Sequence, residues 1–189
     1  MAGVDRAFVA VYPPADVLDA VDTRLGGARR AAPDLRWSPR RQRHVTLRFL
    51  GRVADVDALS ARLGDAVAAL TPVEGLALAG AGAFPTPRHG SVLWVGVADG
   101  PACDALAALA AAVGSACADA GGAADDRAFT PHLTVARARR AADLRAAVDA
   151  VGPGPVGDPW TVAEVRLVAS ATRPTGAVHT DLARLPLTR

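Results

Sequence analysis

Two short stretches of the chain repeat one polar pattern. "RHVTLRFLG", Arg43 to Gly51, and "PHLTVARAR", Pro131 to Arg139, each read histidine, apolar residue, threonine, apolar residue. Successive side chains of a strand point to opposite faces. His44 therefore lies beside Thr46 and His132 beside Thr134, while Val45, Leu47, Leu133 and Val135 turn to a core. An imidazole takes or gives a proton near neutral pH, and a hydroxyl one strand step away can donate to charge developing on a reacting group. Two such pairs facing one reacting atom could move two protons in line. One imidazole would deprotonate the attacking oxygen and the other would protonate the departing one. A single His-x-Thr reads as a wetted strand face; two copies in a chain with four histidines read as a pair of catalytic arms. His89, in a proline-rich turn, and His179, in a late strand, are expected at the surface.

Periodicity supplies the elements that must position these arms. Strands are expected at Arg6–Val11, Arg36–Trp37, the first quoted stretch up to Gly51, Leu76–Phe84, Ser91–Val97, Phe129–Arg137, Thr161–Ser170 and Val178–Leu185. Helices are expected from Ala15 to about Arg30, from an Asp55 N-cap to Thr71, from Pro101 to about Ala120 with Gly121 and Gly122 as the stop, and over Ala141–Val151. "GPGPVGDP" reads as a loop and "TRPTG" as the turn between the last two strands. Turns at Pro85–Gly90 and Arg173–Gly176 demand antiparallel pairing, so the fold class is α+β rather than a doubly wound parallel sheet.

With 189 residues and a net charge of +2, the chain can bury a real core and carries no global field for nucleic acid. It contains no lysine. That removes a Walker A loop, Schiff-base chemistry and a lysyl-nucleotide intermediate, whereas arginine forks suit phosphate. Arg29, Arg30, Arg36, Arg40, Arg41 and Arg43 crowd the approach to His44. Cys103 and Cys117 stand about 21 Å apart along one helix, too far to pair, and read as thiols of a reducing compartment. No HExxH, Cys-x-x-Cys or His/Asp/Glu ligand cluster occurs, so neither metal nor cofactor is expected. "MAGVDRAFVAVYPP" lacks a basic n-region, and the charge-free run Ala105–Ala118 is shorter than a bilayer span. A soluble, cytoplasmic protein with no membrane partner is expected.

The doubled motif resembles the two signature tetrapeptides of the 2H phosphoesterase superfamily. The longer strings "HVTLRFLG", "AFPTPRHGSVLWVGV" and "FTPHLTVAR" resemble its bacterial RNA 2′,3′-cyclic phosphodiesterase branch, the 2′,5′-RNA ligase-like family, from "RAFVAVYPP" to "VRLVAS". The resemblance implies a single bilobal domain over 1–189, two antiparallel sheets with outer helices, a pseudo-two-fold and a central cleft. It implies cleavage of RNA ends or oligonucleotides carrying a 2′,3′-cyclic phosphate to a 2′-phosphate, with 2′,5′-ligation as the reverse, by a monomer that needs no metal. His44 and His132 become catalytic, with His132 activating water and His44 protonating the ribose oxygen. Thr46, Thr134 and Arg137 become phosphate contacts. Arg48 is expected on the face of His44; Phe49 and Trp37 can stack a base, although alternation sends Phe49 to the core; Arg127 braces the second motif. Two rivals stand beside this reading: a superfamily enzyme for a small cyclic nucleotide or ADP-ribose cyclic phosphate, and a non-catalytic RNA-end binding module.

Overall fold

In the computed structural model, which describes residues 3–118, 128–173 and 176–189, the alternation resolves into thirteen elements. They are β1 (Val4–Val11), α1 (Ala15–Ala31), β2 (Arg36–Trp37), β3 (Val45–Val53), α2 (Val56–Ala68), β4 (Val73–Thr86), β5 (His89–Val97), α3 (Pro101–Ala118), β6 (His132–Ala142), α4 (Arg145–Val151), β7 (Pro155–Val162), β8 (Glu164–Arg173) and β9 (Gly176–Pro186). A 3₁₀ turn, Arg40–Gln42, leads into His44. The expected stop at Gly121 and Gly122, Arg127, and the centre of the "TRPTG" turn lie outside the described residues.

The expected elements recur with a few corrections. "GPGPVGDP" is not all loop: Pro155 opens β7, which pairs with β4 from Val73↔Val162 to Ala79↔Pro155. Prolines survive there because β7 is the sheet edge, where a missing N–H breaks no ladder. Ala141 and Ala142 extend β6 instead of starting α4. Gly51, at φ 63°, continues β3 rather than ending it. Asp55 caps α2 as expected, accepting from the Ala58 N–H at 3.0 Å. α3 starts at Pro101, so by length and composition it could cross a membrane; here it packs on α2, β3 and β4.

The strands form one antiparallel sheet in the order β7-β4-β5-β6-β3-β1-β8-β9, with β2 on β6. The two expected sheets are its halves. In one, β1-α1-β3-α2 is flanked outward by β8 and β9; in the other, β5-α3-β6-α4 is flanked by β4 and β7, which is the pseudo-two-fold. The halves meet where β3 and β6 share one register pair, Val45↔Leu133. Both residues are wholly buried, each worth about 1.5–3 kcal/mol of burial. The strands overlap only at their N-terminal ends and then run apart. Beside that pair stand Thr46 opposite His132 and His44 opposite Thr134, all on the face away from Val45 and Leu133. The two histidines are thus diagonal neighbours, about 7–8 Å apart in a regular ladder.

The helices and the alternating Val, Leu and Ala side chains of the strands make the main core. α1 packs on α4 and β7, and α2 on α3 and β9. The other face carries a small apolar set, Phe8, Ala10 and Val168 with Tyr12.

Arg43, adjacent to His44, is 2% exposed and points into the fold. Its Nη2 donates to Asp22 Oδ1 at 2.8 Å and its Nε to the Ser38 carbonyl at 3.3 Å, tying α1 to the root of the first motif. Asp22→Ala strands a buried guanidinium, whereas Arg43→Met removes the charge with its partner. Urea denaturation is expected to show Asp22→Ala less stable by about 2–3 kcal/mol, and less stable than Arg43→Met.

Candidate active site

Both imidazoles are held in the same way. His44 Nδ1 lies 2.7 Å from the Gln42 carbonyl, and His132 Nδ1 lies 2.7 Å from the Thr130 carbonyl, each two residues back along its own chain. A carbonyl only accepts, so each Nδ1 carries the hydrogen and each Nε2 keeps its lone pair for the cleft. Each ring also leans on aromatic neighbours. His44 stacks on Phe8 at 4.6 Å and 18°. His132 meets Phe84 edge-on at 4.9 Å and lies 6.2 Å from Trp94. Trp94 is admitted by Gly82, where a Cβ would overlap the indole.

Burial sets the charge state. His44 is pushed down to about 4, first by desolvation, against which the Gln42 carbonyl works, and then by the charges of His179, His132 and Arg137. His132 is also lowered, first by desolvation, with the Thr130 carbonyl opposing and Arg137 adding to the fall. Both rings are neutral bases at pH 7 in the ligand-free protein. A phosphate anion between them would reverse much of that depression.

His44, Thr46, His132, Thr134 and Arg137 line one open cleft of about 870 Å³, together with Trp37 and Phe49. Arg137 stands opposite Arg36 in the β2–β6 ladder, and both face the cleft. No carboxylate lines it among the described residues. Opposed like charges are costly in a ladder, and an anion between them relieves that cost. Among the described residues no three His, Cys, Asp or Glu side chains come together as a metal would require.

Two expectations fail for one reason. β1 pairs with β3 as Ala10↔Thr46 and then Val9↔Arg48, so Leu47 is an extra residue and β3 is bulged there. Leu47 and Arg48 both turn to the helix side, and the Arg48 guanidinium lies beside Gly114 of α3. Arg48 is therefore away from the cleft, not on the face of His44. Phe49, paired with Phe8, returns to the cleft and is 52% exposed, not buried in the core. The crowd of arginines also divides. Asp22 lies 3.3 Å from Arg29 and 2.8 Å from Arg43, and Arg40 pairs with Asp19, so these face α1. Only Arg36 and Arg41 of that run line the cleft.

His179 is the residue that strand reading misses. It is a cleft residue, 5.4 Å from the His44 ring and 5.1 Å from Phe8, both edge-on. Counting back from the Arg173↔Gly176 turn pair puts His179 opposite Ser170, on the face of Val168 and Phe8, and that count is available from sequence. His89 is exposed, as expected.

Known proteins are similar to the chain in sequence and in fold. The chain is 34% identical over 133 residues to an RNA 2′,3′-cyclic phosphodiesterase of Geobacillus stearothermophilus, covering 69% of this chain and 41% of that protein. It is 28% identical over 185 residues to an RNA 2′,3′-cyclic phosphodiesterase of Methanothermobacter thermautotrophicus, covering 94% and 96%. The crystal structure of E. coli LigT complexed with 3′-AMP superposes with a TM-score of 0.75 at 29% identity, covering 98% of this chain and 99% of that one. The family described as the 2′-5′ RNA ligase superfamily matches residues 17–173, which include both histidine motifs, and the chain belongs to that family of 2H phosphoesterases.

Proposed function

We propose that the protein hydrolyses 2′,3′-cyclic phosphate ends of RNA to 2′-phosphomonoesters, with His44 and His132 as its acid–base pair. The observation that carries this reading is the matched pinning of both Nδ1 atoms, which aims two Nε2 atoms into one arginine-lined cleft. Water attacks phosphorus and gives its proton to one Nε2. The P–O3′ bond breaks, and O3′ takes a proton from the other Nε2, which must enter the step as imidazolium. Thr46, Thr134 and Arg137 donate to the equatorial oxygens as their charge grows. Water is consumed, and the product carries a 2′-phosphate and a 3′-hydroxyl. Attack by a 5′-hydroxyl in place of water, with the same P–O3′ bond breaking and the same two proton transfers, gives 2′,5′-ligation.

One observation bears on which ring does which job. The reading from sequence takes His132 as base and His44 as acid, in a near-symmetric pair whose members can trade roles. The deeper depression of His44 supports the exchange, because the group held more firmly neutral suits the base and the other suits the acid. A phosphodiester with a nitrophenolate leaving group needs no acid, so the acid variant regains most of its rate on it. His132→Asn is expected to be rescued in this way and His44→Asn is not.

Incubation with EDTA and an RNA ending in a 2′,3′-cyclic phosphate is expected to yield the 2′-phosphate. His44→Ala and His132→Ala should each lower kcat by at least about a hundredfold. A strict metal requirement, or near wild-type rates in both variants, would refute the scheme. A binding module would show no wild-type turnover and unchanged RNA affinity in the variants. Because kcat/KM reports the free enzyme, its bell should have an acid limb near pH 4 from His44 and an alkaline limb below 6.5 from His132.

A further inference from the structure

We propose that the cleft contains a second phosphate subsite at its rim, built by Arg6 and Thr172, which holds a phosphodiester of the RNA chain beyond the reacting nucleotide. This rests on the hydrolase reading above and names its substrate as a polymer. Ala10 pairs with Thr46 beside the reactive centre, and Phe8 pairs with Phe49 further along the same two strands. Arg6 lies four residues from Ala10 on β1, about 13 Å at the rise of a strand. Its Nη1 donates to Thr172 Oγ1 of β8 at 3.5 Å, and both residues line the cleft.

A guanidinium fork beside a hydroxyl, in a wall where no carboxylate stands among the described residues, has the donor chemistry of a phosphate contact. Between the two ends the ring of Phe49, 6.5 Å from that of Phe8 and half exposed, offers a surface for a base. The order along the cleft is therefore reactive phosphate, base, second phosphate. A mononucleoside cyclic phosphate fills the first two places and cannot reach the third.

The test compares wild type, Arg6→Ala and Thr172→Val on a mononucleoside 2′,3′-cyclic phosphate and on a tetranucleotide with the same end, across a range of salt. The ratio of kcat/KM, tetranucleotide to mononucleotide, should fall about tenfold in Arg6→Ala and by less in Thr172→Val. The slope of log kcat/KM against log salt on the tetranucleotide should flatten by about 0.7, the share of one single-strand phosphate contact. A wild-type ratio and slope in Arg6→Ala, or equal losses on both substrates, overturns the subsite. Binding of an RNA already ending in a 2′-phosphate is measured beside turnover. If wild type turns over neither substrate, the hydrolase reading fails, while unequal RNA affinity of wild type and Arg6→Ala still upholds the subsite and equal affinity still overturns it.

Discussion

The single cross-strand pair between β3 and β6 fixes where both imidazoles stand. Val45 and Leu133 lie at the N-terminal ends of strands that overlap there and then diverge. Because side chains alternate, burying those two residues obliges the motifs' four polar side chains to emerge together on the opposite face. A second tie comes from β2, which pairs Arg36↔Arg137 and Trp37↔Ala136 on β6. The helices stabilise the arrangement from behind, with α1 reaching the far half-sheet at β7 and α3 packing on both β3 and β4.

Electrostatic sorting completes the site. Asp19 and Asp22, one turn apart on α1, engage Arg29, Arg40 and Arg43 on the helix side. Arg36, Arg41 and Arg137 face the cleft, and among the described residues no carboxylate lines it. A near-neutral molecule thereby concentrates positive potential where an anion must enter. Burial of the two imidazoles among aromatic rings adds the complementary feature, bases held neutral until a phosphate arrives.

The arms themselves were legible because each His–Thr pair lies in a run whose alternate residues are strongly apolar, and Val45, Leu47, Leu133 and Val135 are all buried. α2 was legible from its cap and stripe. Three features were not. The bulge at Leu47 carries no glycine or proline to mark it, so period-two counting sent Arg48 and Phe49 to the wrong faces. β7 contains Pro155 and Pro159, residues that argue against a strand unless its edge position is known. β9 is exposed along most of its length, so apolar alternation does not show which way His179 points, and only the register counted from the Arg173↔Gly176 turn pair does. The arginine run looked like one patch because sequence adjacency says nothing of the aspartates that α1 sets against half of it.

The bulge in β3 has an evolutionary consequence. Removing one amino acid at Leu47 would restore strict pleating and keep the pairs Val9↔Arg48 and Phe8↔Phe49, so Phe49 would stay on the cleft and Arg48 on the helix side. The aromatic shelf would survive such a shortening with both histidine–threonine pairs in place. Length variation at this one position is thus open to the scaffold without exchanging the side chains that its cleft presents.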